Sequence, residues 1–357
     1  MRPRAKTRTA KRLIERERPE EMSQAVTQSL GLTALTDPFG RRIDYLRVSI
    51  TDRCNLRCQY CMPATGMRFA QRSGVLTAED FGWVAAVASL VGVRHLRVTG
   101  GEPLTRPDAA EIVRLLKRVK GIESVSMTSN GALLAEHAAA LAVAGLDRLN
   151  ISIDSLRPER FAQVTRTGTL ASVWEGVRAA ASAGIKLKLN AVVLAGFNDD
   201  EVDDWVRLAE ELDLTVRFLE LMPVGEGARL AKLGQFADLE AIRGRLCGAY
   251  GLTPLAGVEG NGPARYWGLR GGRGRLGFIT PMSRSYCDTC NRMRLTCEGE
   301  LRACLASDAY VSAAGAIKTR DAGALLEALW EAAAGKPAGH RWRDGEVTRD
   351  GMSSLGG

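Results

Sequence analysis

The sequence predicts an α/β fold, a partial six-fold (β/α) barrel closed by a smaller C-terminal α+β domain. Three observations carry that expectation. From Asp44 to Glu220 a short β-branched-rich strand, a turn and an amphipathic stretch of helical length recur six times without a break, the pattern of a parallel sheet. After Pro223 the pattern gives way to Gly-rich segments. Six of the eight cysteines fall into two groups, near the two ends of the folded region.

The chain opens with a basic stretch: residues 1–21 hold eight Lys or Arg against four Glu, half of the net charge of +8. We read residues 1–36 as a basic, disordered extension, since such a composition buries little apolar surface. The folded body carries only the remaining charge, so no nucleic-acid partner is expected. The repeated unit gives strands at 44–51, 95–99, 123–128, 148–153, 186–193 and 215–220. Helices fill the gaps, and Thr77 with Asp80 and Asp108 with Glu111 look like capped starts, a short polar side chain three residues before an acid. Six units where a complete barrel needs eight leave a gap for the rest of the chain to close. That rest holds hairpin strands around 264–280 and 292–303 and a helix near 321–334. The expected division is therefore 37–223 for the partial barrel, 224–334 for the second domain, and 335–357 for a mobile tail ending in Gly356-Gly357.

With 357 residues, 45% of them apolar and 25% charged, the chain can bury one large core and an appendage. It has no run of about 18 uncharged apolar residues to span a bilayer and no secretory signal, so the expected location is the cytoplasm and no membrane partner is foreseen. Cysteines there are seldom disulfides, which leaves metal chemistry or packing.

Cys54, Cys58 and Cys61 form a C-x3-C-x2-C run directly after the first strand. Three thiolates on one loop can hold three irons of a [4Fe–4S] cube and leave the fourth open to a ligand. A zinc site would lack its fourth ligand, and no His lies nearby. This motif resembles the radical S-adenosylmethionine superfamily. The resemblance implies that the open iron chelates S-adenosylmethionine, whose reductive cleavage gives a 5′-deoxyadenosyl radical. Gly100-Gly101-Glu102-Pro103 follows the second strand. Alone it is a turn, but beside the cysteine run it is similar to the superfamily segment that meets the cofactor's amino group, and a Gly pair lets backbone approach closely. By the same resemblance, Tyr60, Gly101, Ser152 and Met222 bind that cofactor.

Side chains alternate faces along a strand, so each strand splits into two sets. Leu46, Val48 and Ile50 face the helices and put Arg47, Ser49 and Thr51 inside; Leu149, Ile151 and Ile153 do the same for Asn150, Ser152 and Asp154. Arg97, Thr99, Thr128, Lys188, Asn190 and Arg217 join the inner set. Barrel interiors are ordinarily packed with branched apolar residues, so Arg47, Arg97, Lys188 and Arg217 need an anionic ligand, and a triphosphate suits them. Buried ion pairs with Asp154 and Glu102 would leave a surplus of cations.

Cys287, Cys290 and Cys304 offer three further thiolates and a second open cube. If Cys297 joins them, the four read C-x2-C-x6-C-x6-C, which tetrahedral zinc also accepts. On a strand 292–297, however, Cys297 lies on the face opposite Arg292 and Arg294. The stretch Cys290-Asn-Arg-Met-Arg-Leu-Thr, together with Thr51-Asp-Arg-Cys-Asn, Cys61-Met-Pro and Gly356-Gly357, resembles the GTP cyclases of molybdenum-cofactor biosynthesis, from about Asp37 to Gly357. That resemblance implies a lyase with two [4Fe–4S] clusters and S-adenosyl-L-methionine. Its GTP contacts would be Arg47, Arg97, Thr128, Lys188, Arg217, Arg292, Met293 and Arg294, with guanine on the second cluster. Arg292, Arg294, Gly356 and Gly357 would be catalytic. The reaction it implies removes the hydrogen at C3′ of GTP and closes that carbon on C8 of guanine. It implies an electron donor protein and a downstream cyclic pyranopterin monophosphate synthase as partners, and leaves the oligomeric state open, a homodimer included. Cys297, His95 and Tyr286 depart from the family pattern. Two rivals remain, a peptide-modifying radical enzyme with an auxiliary cluster and a non-catalytic metal protein that uses its basic start to bind nucleic acid.

Overall fold

The computed structural model describes residues 33–356 except 68 and 259; the basic stretch over 1–32 and Gly357 lie outside the described residues. Six parallel strands run in sequence order: β1 (Tyr45–Ser49), β2 (His95–Thr99), β3 (Ser124–Ser129), β4 (Arg148–Ser152), β5 (Lys186–Val193) and β6 (Thr215–Glu220). Between them lie α1 (Ala78–Leu90), α2 (Ala109–Arg118), α3 (Leu134–Val143), α4 (Pro158–Thr165), α5 (Leu170–Ser182) and α6 (Val202–Glu211). The outward set falls as alternation requires: Leu46, Val48, Ile50, Leu149, Ile151 and Ile153 are buried in the main core under the helices.

The rest of the chain gives α7 (Glu226–Lys232), α8 (Leu239–Tyr250), β7 (Thr253–Leu255), β8 (Arg265–Gly268), β9 (Arg275–Ile279), β10 (Arg292–Leu295), β11 (Glu300–Arg302), β12 (Val311–Ser312), α9 (Ala314–Lys318), α10 (Ala322–Ala334) and α11 (Met352–Leu355). It does not stand apart from the first sheet. β9 pairs parallel with β6 at one edge and β10 pairs parallel with β1 at the other, giving one sheet in the order β12-β11-β10-β1-β2-β3-β4-β5-β6-β9-β8-β7. Eight strands are thus parallel rather than six, and the two that complete the set are neighbours in sequence at opposite edges of the opening. Side chains from all eight line one cavity, so the sheet curls around it as an open barrel.

Local chemistry sets the helix starts. Thr77 caps α1 by accepting from the Asp80 amide at 3.2 Å while the Asp80 carboxylate accepts from the Thr77 amide at 2.8 Å, an arrangement that contributes about 1 kcal/mol. Asp108 stands before α2 but makes no such bond. Its carboxylate grips the Arg106 guanidinium at 2.7 and 2.8 Å, a stronger charge-assisted pair than a cap.

Two expectations about the ends give way over the residues described, 33–36 at one end and 335–356 at the other. Leu35, inside the stretch assigned to a disordered extension, is fully buried, and its backbone bonds Val91 and Ile43. The stretch from 335 to 356 is not a loose tail either: Lys336, Trp342, Thr348, Ser353 and Leu355 are buried, and Thr348 pairs with Val224.

Candidate active site

The cavity of about 230 Å³ lies where β1 to β6 end. Cys54, Cys58 and Cys61 line one side of it, on the loop that leaves β1. That loop is held by backbone bonds from Arg57 and Gln59 to Thr165 and Val164 at the end of α4, and by the buried side chains of Leu56 and Met62. The Gly100-Gly101 pair serves it directly. The Gly101 and Glu102 amides donate to Thr51 and Arg53 carbonyls at 2.7 Å each, and a Cβ on Gly101 would stand 2.3 Å from the Arg53 oxygen. The glycines are therefore needed to seat one loop on the other, rather than only for approach of a ligand.

Burial raises all three thiols, Cys54 to about 11 and Cys58 and Cys61 further, with the neighbouring thiols and Asp154 adding to the rise at Cys58 and Cys61. Thiols in that state bind metal as thiolates, releasing their protons to solvent or a base as the metal takes their place. Among the described residues no three Cys, His, Asp or Glu converge on a point suited to a single metal ion. The loop offers three thiolates, one for each of three irons of a cube, whereas structural zinc takes four ligands, so the donor set fits a cube better than zinc.

Tyr60, Gly101, Ser152 and Met222 line the same cavity beside the trio. The Tyr60 hydroxyl donates to Asp154 at 2.7 Å, and the other Asp154 oxygen accepts from the Val192 amide at 2.9 Å. Burial pushes the Asp154 carboxyl up to about 6 against those bonds. Glu102, also buried, accepts from the Leu104 and Asn130 amides and the Ser129 hydroxyl, yet burial still holds it at about 7. These acids bond amides and hydroxyls, whereas the alternative to an anion site had them pairing with the lumen cations.

The cations themselves stand in register. Across β10, β1 and β2, Arg294 faces Arg47 and Arg47 faces Arg97. Strands lie about 4.8 Å apart, and unit charges at that spacing would repel by roughly 3.5 kcal/mol at an effective dielectric near 20. Burial, with Arg294 and Arg97 alongside, lowers Arg47 well below the ordinary guanidinium value; burial also brings Arg217 and Arg294 to about 10 and lowers Lys188. Partial relief comes from neutral partners. Arg97 bonds the Tyr45 hydroxyl and, at 3.3 Å, Thr128; Arg217 bonds Asn190 at 2.8 Å; Lys188 bonds the Tyr266 hydroxyl at 3.1 Å. Burial raises the Tyr45 and Tyr266 phenols, but Arg97 and Arg47 at the first and Arg217 and Lys188 at the second outweigh it and lower both. Gly277 lets Tyr266 and Arg217 meet, since a Cβ there would lie within 3.0 Å of both. Such a row of half-buried cations has the charge to receive an anion.

Arg292 joins this wall to the second cysteine group. Its guanidinium lies over the Tyr286 ring at 4.8 Å and donates to Cys290 Sγ at 3.5 Å, and Arg292 and Tyr286 both line the cavity. Burial raises Cys290, but the charges of Arg292 and Lys336 outweigh it and bring the thiol to about 7. Cys287 and Cys290 are the thiols whose charge Cys304 feels. Cys297 is elsewhere: its electrostatic neighbours are Asp52 and Glu298, and its carbonyl accepts from Leu76. Met293 is a correction. It is buried in the core on the helix side of β10, so its side chain does not reach the cavity.

The chain end enters the cavity. The Gly356 carbonyl accepts from Arg47 at 3.0 Å and Arg294 at 2.7 Å, and Met352 and Ser353 line the wall. Gly356 has φ of 74°, and a Cβ would stand 2.6 Å from Thr99 Cγ2. Sequence reading passed over Tyr45 and Tyr266; strand alternation alone would have found Tyr45, two residues before Arg47.

Comparison with known proteins follows the same division. The sequence profile of the Radical SAM superfamily matches residues 48–209, and that of Molybdenum Cofactor Synthesis C matches 214–342. A GTP 3′,8-cyclase of Moorella thermoacetica is 45% identical over 90% of this chain and all of its own length. One of Heliobacterium modesticaldum is 44% identical over 90% of this chain and all of its own. Among solved structures, Streptococcus suis SuiB bound to S-adenosylmethionine aligns with a TM-score of 0.53 at 15% identity, covering 76% of this chain and 63% of that one, a likeness of fold alone.

Proposed function

The chain belongs to the GTP 3′,8-cyclase family of radical S-adenosylmethionine enzymes, and from that premise we infer that its cavity holds GTP on the lumen cations with S-adenosylmethionine against the first cysteine trio. The enzyme carries out the radical cyclisation of GTP in molybdenum-cofactor biosynthesis with an iron–sulfur cluster and S-adenosylmethionine. The observation that supports the placement is the row Arg294, Arg47 and Arg97 facing the same cavity as Cys54, Cys58 and Cys61.

Cys54, Cys58 and Cys61 would hold the cluster, which would supply one electron for cleavage of the cofactor's sulfonium, with methionine leaving, so that the hydrogen at C3′ of GTP could be removed; closure of C3′ on C8 would then need a second electron and a proton to give (8S)-3′,8-cyclo-7,8-dihydroguanosine 5′-triphosphate. The protein's part is placement. Arg47, Arg97, Lys188 and Arg217 hold the triphosphate, and Thr128 adds a hydroxyl. Tyr60, held by Asp154, and the backbone at Gly101 fix the cofactor, with Ser152 and Met222 on its flanks. Cys287, Cys290 and Cys304 fit a second [4Fe–4S] cluster beside Arg292 and Arg294, where the base would lie. Met293 can contribute through its backbone only. Gly356 closes the cavity against Arg47 and Arg294, and Gly357, outside the described residues, is assigned to the reaction with it.

An electron donor protein and a cyclic pyranopterin monophosphate synthase that consumes the product complete the proposed setting, in the cytoplasm. Among the described residues no helix is long and apolar enough to cross a membrane. The test is iron and zinc content after anaerobic reconstitution, then 5′-deoxyadenosine with and without GTP and reductant. About eight irons per chain and GTP-dependent deoxyadenosine are expected. Iron at one site only, with a zinc at the other, would remove the second cluster. Deoxyadenosine indifferent to GTP would remove the substrate placement.

A further inference from the structure

Lys336 is a lysine in an unusual place. Its side chain is 3% exposed, and its Nζ donates to the Arg292 and Ala303 carbonyls at 2.6 Å each. Those two carbonyls belong to the two segments that carry the second cysteine group, one two residues after Cys290 and the other immediately before Cys304. Lys336 thus spans the pair.

The residues that follow lie along the third cysteine. Arg41, anchored by an ion pair to Asp37, donates to the Pro337 carbonyl at 2.6 Å, the Ala338 carbonyl at 2.8 Å and the Cys287 carbonyl at 2.7 Å. Gly339 lies beside Cys287, where a Cβ would make an ordinary contact 3.7 Å from its sulfur. Residues 336–339 therefore form a strap along the whole group, with one cation at each end. At the first trio the charges are mixed: Arg57 donates to the Cys54 and Leu56 carbonyls at 2.6 and 3.0 Å and opposes the rise that burial and Glu102 give the Cys54 thiol, while Asp154 adds to the rise that burial gives Cys58.

We propose that Lys336 is a positioning residue for the second cysteine group, fixing Cys290 and Cys304 relative to each other and setting a buried positive charge beside the cluster they hold. This rests on the second-cluster reading above. Burial lowers Lys336 below the ordinary ammonium value against the opposing pull of Cys290 and Cys304, and both carbonyls accept from its Nζ. A fixed cation beside a cluster stabilises the form with the extra electron, so it makes that cluster easier to reduce. The two clusters of the enzyme then differ in reduction potential through their neighbours, with buried Lys336 at the second and Asp154 and Glu102, offset in part by Arg57, at the first.

The test uses the full-length chain with Cys54, Cys58 and Cys61 replaced by Ser, so that only the second cluster reports. After anaerobic reconstitution, iron per chain is measured and the cluster titrated potentiometrically by electron paramagnetic resonance, with Lys336 intact, Lys336→Gln and Lys336→Met. Lys336→Gln keeps donors for the carbonyls and loses the charge: iron is retained, and the reduced-to-oxidised ratio at a fixed potential falls about tenfold, roughly 59 mV for one electron. Lys336→Met loses both and also drops at least half of its iron. If Lys336→Met does not fold, Lys336→Gln carries the test alone. A cluster in Lys336→Gln with the parent's potential would overturn the proposal. No iron in the parent with Lys336 intact would instead overturn the second cluster itself.

Discussion

Arg294 donates to Gly356 at 2.7 Å and to Leu355 at 3.0 Å through a single guanidinium nitrogen, so the chain end is bonded to the same cation that flanks the second cysteine group. The contact needs a residue with no side chain, because Gly356 is left-handed and presses on Thr99.

Gly356→Ala is expected to undock this end. The left-handed backbone costs an alanine about 1–2 kcal/mol before the clash with Thr99 is counted. Amides over 351–356 are expected to exchange at least tenfold faster, with both iron sites filled as before. Unchanged protection would mean that the docking does not depend on Gly356.

At Gly101→Ala the added methyl meets the Arg53 carbonyl at 2.3 Å, so the second loop can no longer seat on the cysteine loop. Iron at the first site is expected to fall to half or less while the second site keeps its own. Metal analysis of singly and doubly loaded protein separates the two.

Tyr266→Phe removes the hydroxyl on Lys188 and leaves the ring beneath its ammonium, 4.8 Å away. Losing one such bond costs about 1 kcal/mol, so KM for GTP is expected to rise roughly fivefold with kcat little changed. Steady-state kinetics tests this; a fall in kcat alone would place Tyr266 nearer the chemistry.

Burial holds Glu102 at about 7, against 4.5 for an ordinary glutamate. Its protonated form is the one the fold favours. Stability from this group is therefore fully present below pH 4.5 and is lost as pH rises through 7, by on the order of 3 kcal/mol in total. In urea denaturation of the metal-free protein, Glu102→Gln is expected to match the parent near pH 5 and to gain on it by pH 8. A difference that does not change with pH would place the shift elsewhere.

Much of the site could be read from strand alternation, which is local. Arg47, Arg97, Thr128, Ser152 and Arg217 line the cavity because each sits one residue from a core aliphatic. Met293 was assigned to the site as part of a motif block, against the same alternation, and the core claims it. Tyr266 carries no local sign. It reaches Arg217 and Lys188 only because β9 docks on β6, a pairing set across about 60 residues by the topology. Lys336 and Trp342 lie in a Pro, Gly and charge-rich stretch that reads as a tail, and only their distant partners bury them. Asp108 shows the limit of cap signatures, since Arg106 two residues away takes its carboxylate.

The placement of β9 and β10 has a consequence for how the chain matures. Until they are synthesised, β1 and β6 both present bare edges, and bare parallel edges invite pairing with other chains. A nascent chain that has just released β6 already owns its first three metal thiols but lacks the strands that seal the sheet around them. Both edges are covered only once 275–295 emerges, and the same short interval carries Cys287 and Cys290. Acquisition of metal at the two cysteine groups is thereby tied to one late event in biogenesis, and a truncation anywhere before β10 leaves an aggregation-prone half-sheet rather than a smaller working domain.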